Sequence, residues 1–510
     1  MDWHGSWNWG LGTHQSGVRR QTTPHSGTRK KAPMSTTTAN QPLGPVPEDE
    51  PSEHEVSLYE SHKKIHPRSV SGFFTRWRWA MVWVTQIVFY GLPWLNWNGR
   101  QAILFDLLSR RFYLGGLVLY PQDFIYLTGL LVMAALSLFL FTAVAGRLWC
   151  GYACPQTVYT EVFLWIEKKI EGDRSARIRM DEAPLSGAKA GRKAVKHTAW
   201  ILFALWTGFT FVGYFTPIRG QAADVVSGSL GAWQTFWIFF YGFATYGNAG
   251  FMREQVCKYM CPYARFQSAM FDKDTLIVTY DTTRGEPRGS RGKKVDPKEK
   301  GLGSCVDCTL CVQVCPTGID IRKGLQYECI GCGACADVCD EVMDKFGYAR
   351  GLVKYSTQNA MTGGWDKAQI IRRALRPRVL IYTTVLTAIA IAVGVSLYRR
   401  VPMKVDVIRD RGALARMVEQ GRIENVFRLQ IMNATEAKQV VELGVDGMDG
   451  IVIASEARVD VLPTEVRTLA VRVQVPPGAS SGSHPIVFKL QSTTDAAIQL
   501  DEKSVFLVPR

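Results

Sequence analysis

Eight cysteines fall in one short stretch, Cys305, Cys308, Cys311, Cys315 and then Cys329, Cys332, Cys335, Cys339, as two copies of C-x2-C-x2-C-x3-C. Thiolates at this spacing are donors for iron, and the chemistry they point to is one-electron transfer through a pair of cubane 4Fe-4S clusters. Three cysteines two residues apart in a tight loop reach three iron corners of one cube, while the fourth, offset by three residues, serves the cube of the other repeat. The pattern therefore assigns Cys305, Cys308, Cys311 and Cys339 to one cluster, and Cys329, Cys332, Cys335 and Cys315 to the other. Pro316 follows Cys315 and turns the chain away, whereas Asp340 stands where the second copy would carry its proline. Zinc is the plainer alternative, but zinc modules use two spaced C-x2-C knuckles, and a third cysteine at the next step is wasted on a tetrahedral ion. Gly331, Gly333 and Thr309 keep side chains small beside the cubes, leaving room for backbone N–H groups to approach sulfide.

The other four cysteines form two matched pairs, Cys150-Gly-Tyr-Ala-Cys154-Pro155 and Cys257-Lys-Tyr-Met-Cys261-Pro262. A helical backbone would put both sulfurs of a pair on one face, with Pro155 and Pro262 limiting how far that helix continues. Four converging thiols could bind a soft metal such as Cu(I), form reversible disulfides or ligate another redox centre. Packing is the bland reading, since free cysteine is a common small filler at helix ends. The repetition of C-x-Y-x-C-P argues against accident.

The elements that must position these cysteines are apolar blocks. Hydrophobic residues make up 47% of the 510-residue chain, but five stretches approach the roughly 20 residues that cross a bilayer: 77–97, 123–146, 198–217, 232–252 and 378–398. Trp77, Trp79, Trp94, Trp97, Trp149 and Trp200 crowd the block ends as an interfacial belt would. Lys and Arg concentrate in the second connection, from Arg147 to Lys196, and are sparse in the first and third, which predicts that the second is cytoplasmic. Five spans then put the N-terminus and segment 253–377 inside and the tail outside, with both C-x3-C-P pairs at the inner face. Much of the +15 net charge is thus explained by membrane lipid headgroups, and nucleic acid is an unnecessary partner. Segment 158–171 has helical apolar spacing and a charged end, which predicts a helix on the inner membrane surface.

Residues 1–76 carry little signal. The stretch 1–58 is rich in Gly, Ser, Thr, Pro and His without periodicity, which predicts disorder, and it lacks the apolar core of a signal peptide. Met34 is as plausible a start as Met1, so residues 1–33 are suspected to be an upstream extension, and His4, His14 and His25 are read as solvated. After Arg400 the segments VFRLQIM, KQVVELGV, RTLAVRVQV, HPIVFKL and KSVFLV are short, partly alternating and separated by turn residues, which predicts an antiparallel sandwich over 400–510 without any cysteine.

The expected architecture is a multi-domain membrane protein. It combines a disordered segment 1–76, an α-helical four-span region 77–252 with cytoplasmic loop 147–197, and a cytoplasmic segment 253–377 holding a two-cluster ferredoxin-like α+β unit at about 295–345. A fifth span at 378–398 leads to an all-β immunoglobulin-like domain at 400–510.

The runs GRLWCGYACPQTVYTEVFLWIEKKIEGDR, QVCKYMCPYARFQSAMFDKDTLIVTYD, RGEPRG, SCVDCTLCVQVCPTGIDIRKGLQYECIGC and RIENVFRLQIMN resemble the cytochrome c oxidase accessory protein family CcoG, also called FixG or RdxA. The resemblance runs from about residue 64 to the C-terminus. It implies a bacterial inner-membrane protein with two 4Fe-4S clusters and a periplasmic immunoglobulin-like domain. It also implies a role in assembling the copper-containing cbb-type cytochrome c oxidase, as a cupric reductase turning Cu(II) into Cu(I). Copper enters by this resemblance alone; under it, Cys150, Cys154, Cys257 and Cys261 are the candidate copper and catalytic residues. Oxidase copper-handling factors are the implied partners. Two other readings stay open: an electron relay carrying quinol-derived electrons to a partner reductase, and a non-enzymatic assembly scaffold. No G-x-G-x-x-G after a strand and no P-loop is present, so the electron donor is unidentified and a bound nucleotide is not expected.

Overall fold

The computed structural model describes residues 64–293, 295–296, 300–410 and 415–509. The expectations for residues 1–58, including disorder, Met34 and the three histidines, lie outside the described residues.

Helices follow the apolar blocks: α1 Phe73–Gly91, α2 Phe124–Ala145, α3 Pro155–Glu171, α4 Gly187–Val212, α5 Ala232–Thr245, α6 Ala334–Phe346 and α7 Pro377–Tyr398. Among the described residues two helical stretches, Pro121–Ala145 and Pro377–Tyr398, are long and apolar enough to cross a membrane. The other three predicted blocks are less uniform. Block 77–97 begins one residue after Arg76 and includes Arg78, block 198–217 continues an α4 whose first half holds Lys189, Arg192, Lys193 and Lys196, and block 232–252 passes from α5 into a π-helix over Tyr246–Met252. Gly208 lets α4 and α5 approach closely: a Cβ there would collide with the backbone of Ile238 and Gly242.

The amphipathic helix expected on a membrane surface is α3, and part of its apolar side, Val158 and Phe163, is covered by protein while Trp165 is half exposed. Phe163 is fully buried against Trp200 of α4, whose indole Nε1 donates to the Phe163 carbonyl (3.2 Å). Further along, the fully buried Glu167 carboxylate meets Arg177 at 3.1 Å and Arg253 at 3.0 Å, and Glu171 meets Lys193 and Lys196, each at 3.0 Å. Burial opposes ionisation of Glu167, but Arg253, Arg177 and Lys196 outweigh it and hold the carboxyl below its ordinary range. The Lys/Arg-rich second connection is in part an internal ion network.

Between α1 and α2 lies a small antiparallel sheet that the sequence reading did not anticipate: β1 Ile103–Asp106, β2 Arg111–Leu114 and β3 Leu117–Leu119. It packs onto the C-terminal domain, Leu104, Tyr113, Val118 and Tyr120 sharing a core with Met432 and Ala434. Tyr120 donates to the Asn433 carbonyl (2.9 Å), and buried Asp123 pairs with Arg400 (2.6 Å) and Lys404.

A two-stranded antiparallel pair, β4 Ile277–Tyr280 with β5 Val353–Ser356, brackets the eight-cysteine stretch and α6. The C-terminal domain is a sandwich of antiparallel strands β6 Met403–Arg409, β7 Ile423–Asn433, β8 Gln439–Asp446, β9 Arg458–Val461, β10 Val466–Val475, β11 Gly482–Ser492 and β12 Gln499–Val508. One sheet runs β10-β7-β6, edged by Val452–Ile453 and, beside β7, Arg416–Met417; the other runs β9-β8-β11-β12. Every second residue of β7 from Phe427 to Ile431 is fully buried, facing Phe488 and Phe506 from the other sheet.

Candidate redox site lined by two sets of cysteines

The two cysteine loops share a backbone path. In the second, Gly331 and Gly333 have φ of 64° and 75°; in the first, the equivalent Asp307 and Thr309 have φ of 51° and 56°. Both loops thus turn twice through the left-handed region, which glycine adopts freely and other residues adopt at a cost of order 1 kcal/mol or more. Each loop then enters a helix, Leu310–Gln313 in the first copy and α6 in the second.

The loops close on two adjacent cavities. Cys305, Cys308, Cys311 and Cys339 line one, with Tyr280, Leu310, Val342 and Leu352. Cys315, Cys329, Cys332 and Cys335 line the other, with Val278, Ile319, Ile321 and Ile330, and Cys311 touches it as well. Among the described residues no three His, Cys, Asp or Glu side chains converge closely enough to hold a single metal ion. Thiolates around a tetrahedral ion would stand only about 3.8 Å apart; here the sulfurs ring a void instead. Four thiol donors around a void with a largely apolar wall suit a polynuclear iron-sulfur group and do not suit zinc. Burial pushes the thiols up, Cys329 and Cys339 to about 12 and Cys311 to about 11, with neighbouring cysteines adding to the effect. Binding of iron by Cys311, Cys329 and Cys339 must therefore release protons.

The C-x3-C-P pairs come to the same place. Cys150 lies in a short helix, Leu148–Tyr152, and Cys154 in the break before α3, where Pro155 is the first helical residue. Cys257 lies in a π-helix, Val256–Met260, and Cys261 in the break before the helix opened by Pro262. The prolines therefore begin helices, where the missing N–H costs nothing, and neither pair occupies one face of a continuous helix as its spacing suggested. The four thiols still sit within one another's field: burial and then Cys154 push Cys150 up to about 12, with Cys257 contributing, and burial, Cys154 and Cys261 push Cys257 up to about 11. Cys154 is likewise raised, in part by Cys261.

The first pair is built into the wall of the second cysteine loop. Cys150 packs with Val314, Ile330, Cys332 and Ala334. A Cβ on Gly151 would stand 2.8 Å from the Ile330 carbonyl and 3.0 Å from Cys332 Cα, so only glycine fits. Tyr152 donates its hydroxyl to the Cys332 carbonyl (3.2 Å), and Tyr355 donates to the Gly331 carbonyl. The pairs are not equivalent, because Tyr259, the counterpart of Tyr152, is half exposed.

Four polar residues here escaped the sequence reading. Buried Arg147 donates to the Ala264 carbonyl, and its charge favours the thiolate forms of Cys150, Cys257 and Cys329. Fully buried Gln267 accepts from the Cys150 thiol (3.3 Å). Asp337 of α6 caps α1, accepting from Phe74 N (3.1 Å), Thr75 N (2.7 Å) and Thr75 Oγ1 (2.7 Å). Arg78 adds positive charge beside Cys332. Arg147 and Arg78, each set in or beside an apolar block, were the available signal; the other two had none.

Family models place these features. A 4Fe-4S dicluster domain matches residues 252–358, a 4Fe-4S binding domain matches 127–172, and the IG-like fold at the C-terminus of FixG matches 393–509. The nitrogen fixation protein FixG of Rhizobium meliloti is 38% identical over 461 residues, 82% of this chain and 88% of its own length. The chain belongs to the FixG/RdxA family. Protein RdxA of Cereibacter sphaeroides is 38% identical over 457 residues, 87% of this chain and 95% of its own. The crystal structure of a FixG-related protein from Vibrio parahaemolyticus covers 21% of this chain and 95% of that one at 27% identity, with a TM-score of 0.19. As a member of the FixG/RdxA family the chain is an iron-sulfur redox protein with an immunoglobulin-like C-terminal domain.

Proposed function

We propose that the chain is a five-span protein of the bacterial inner membrane that reduces Cu(II) to Cu(I) on the cytoplasmic side, supplying copper for assembly of a cbb-type cytochrome c oxidase. The observation that carries this reading is the seating of Cys150, Gly151 and Tyr152 in the wall of the Cys329–Cys335 loop, which joins a soft-metal donor pair to an electron-transfer centre. Cys305, Cys308, Cys311 and Cys339 would hold one 4Fe-4S cluster, and Cys315, Cys329, Cys332 and Cys335 the second. Such clusters supply one-electron chemistry. Around them the chain's own residues exclude water with Val278, Ile321 and Leu352, and Arg147 and Arg78 balance negative charge. Cys150, Cys154, Cys257 and Cys261 present two thiol pairs to copper as substrate. Sulfur ligands favour Cu(I) over Cu(II), so they stabilise the product and ease the reduction.

The topology rests on two packing facts. The first connection, expected outside, packs its sheet on the sandwich, expected outside; the second connection and residues 64–75, expected inside, pack with the cysteine segment through Asp173 on Ser69 and Asp337 on Thr75. Membrane lipid and copper-handling oxidase assembly factors are the partners in this reading, with the sandwich as the periplasmic docking domain.

The test is anaerobic: reduce the purified protein with dithionite, add Cu(II), and record cluster absorption and Cu(I) chelation together. Reoxidation of the clusters with stoichiometric Cu(I) is expected. Clusters that stay reduced beside Cu(II) would return the relay or scaffold roles to the front.

A second reading of the pairs has its own support. The 4Fe-4S binding domain matched at 127–172 contains no cysteines besides Cys150 and Cys154, and these four thiols, like the other eight, fail to converge on a single-ion point. In that reading the pairs ligate a further iron-sulfur centre. Iron content separates the two, eight atoms per chain for two cubes against more for three centres.

A further inference from the structure

A cavity of about 780 Å³ lies beside the cysteine-lined centre and shares a wall with it. The slot follows α1 from Thr75 to Tyr90, a rise of roughly 22 Å. At one end its wall is Val314, Pro316 and Ala334, the chain neighbours of Cys315 and Cys335. Along its length the wall is aromatic, with Trp79, Trp83, Tyr90, Trp165, Phe203 and Trp206. Near the cysteine end Arg78 pairs with Glu161 at 2.6 Å. Three polar atoms of slot residues, Arg78 Nε, Gln86 Oε1 and Arg177 Nε, are buried and lack any hydrogen-bond partner.

These features select a ligand. The volume lies within the range of roughly 300–1,000 Å³ typical of small-molecule sites. The aromatic stretch suits an apolar ring and tail, although Arg68, Lys168, Asp173 and Arg177 line the slot as well, and Trp83 and Trp206 are 63% and 44% exposed, so the slot opens sideways between α1 and α4. That opening faces lipid in the five-span reading. The Arg78 guanidinium and its partner Glu161, both lining the slot, are suited to a ring that carries a carbonyl when oxidised and a hydroxyl when reduced.

We infer that this slot binds a lipophilic quinone and its quinol, the ring at Arg78 and Glu161 and the isoprenoid tail along Trp83 and Tyr90, as the electron donor to the cysteine-lined centre. The inference rests on the membrane and iron-sulfur readings and is independent of copper. Oxidation balances: the quinol loses two electrons and two protons and leaves as quinone, each of two one-electron iron-sulfur centres is reduced once, and the protons pass in turn to the Glu161 carboxylate and on to water.

The full chain in detergent, without copper, is titrated with menadione and with decylubiquinone while tryptophan fluorescence is followed; menadiol is then added and the visible absorption of the clusters recorded. Saturable quenching and bleaching by menadiol are expected. Val82→Phe, which fills the slot, should weaken quinone binding at least tenfold with the resting absorption unchanged. Glu161→Gln, whose amide cannot take up the proton, should slow the bleaching at least tenfold at saturating menadiol. Quenching that never saturates, that is equal in wild type and Val82→Phe, or that a short-chain phospholipid abolishes, overturns the site as a partition effect or a lipid groove. Should Val82→Phe lose its clusters, an unchanged bleaching rate in Glu161→Gln overturns the proposal by itself. Since dithionite replaces the quinol in the copper assay, either idea can fail while the other stands.

Discussion

The cysteine segment and the C-terminal sandwich fold by opposite means. In the sandwich, fully buried Phe427, Leu429, Ile431, Val441, Val461, Val471, Val473, Val475 and Phe488 fill the space between two sheets, and no cysteine is needed. In the cysteine segment a strand pair, α6 and several short helices enclose a smaller core of Val278, Tyr280, Met343 and Leu352, and cysteines line the voids beside it. The first region derives its stability from apolar burial. The second sets its thiol donors into a smaller apolar core, so part of its fold and all of its electron chemistry depend on the same atoms.

The largest effect should come from breaking the donor set. Cys332→Ser is expected to remove about half of the bound iron and the matching share of visible absorption, measured by iron analysis of the anaerobically purified chain, because an alcohol replaces a thiolate at a buried corner. The sandwich should melt as in wild type. Full iron content in this variant would break the comparison, since the cavity would then not be the iron site.

The mirror experiment is Phe427→Ala. Phe427 is fully buried and meets Phe488 edge to face, with centroids 5.1 Å apart. Truncation should cost the sandwich about 3–5 kcal/mol, seen as a large drop in its unfolding midpoint, while cluster absorption is unchanged. Loss of absorption along with the sandwich would mean that the two regions form one cooperative unit.

What the sequence made legible follows the same division. The five tail segments read as strands all lie in strands, because period-two alternation over a two-sided core leaves a strong trace. The cysteine spacing likewise divides into the two sets that line the two cavities, since ligand geometry is local to each loop. The β1–β3 sheet left no such trace: its strands are three or four residues long and find their partner surface on a domain some 300 residues away. The π-helical turn around Cys257 and the helix starts at Pro155 and Pro262 depend on packing that spacing does not report. Asp337 as the cap of α1, and the slot beside it, arise only when α6 is brought against residue 72.

That contact yields a smaller and more specific prediction. Asp337→Ala leaves the N–H groups of Phe74 and Thr75 without their acceptor at a half-buried helix start, at a cost of about 1–2 kcal/mol. Hydrogen exchange should quicken in the first turn of α1, and iron content should hold. Unchanged exchange there would show that α1 is set by its surroundings and not by the cysteine segment.

The smallest effect tests the sandwich by pH alone. Burial works against ionisation of Glu424, but the hydrogen bond from Gln474 (2.7 Å) and the paired Arg416 outweigh it and hold the carboxyl below its ordinary range. A carboxyl depressed in the folded state contributes stability that is fully present above its unfolded pKa, about 4.3, and is lost as pH falls through the folded value. The sandwich unfolding midpoint should therefore decline in acid below about pH 4.3, and Glu424→Gln should shrink that decline while lowering stability at neutral pH. An acid decline of equal size in Glu424→Gln would assign it to other carboxylates. Those charges would then join the apolar core in accounting for why this half of the molecule, unlike the cysteine half, stands without a cofactor.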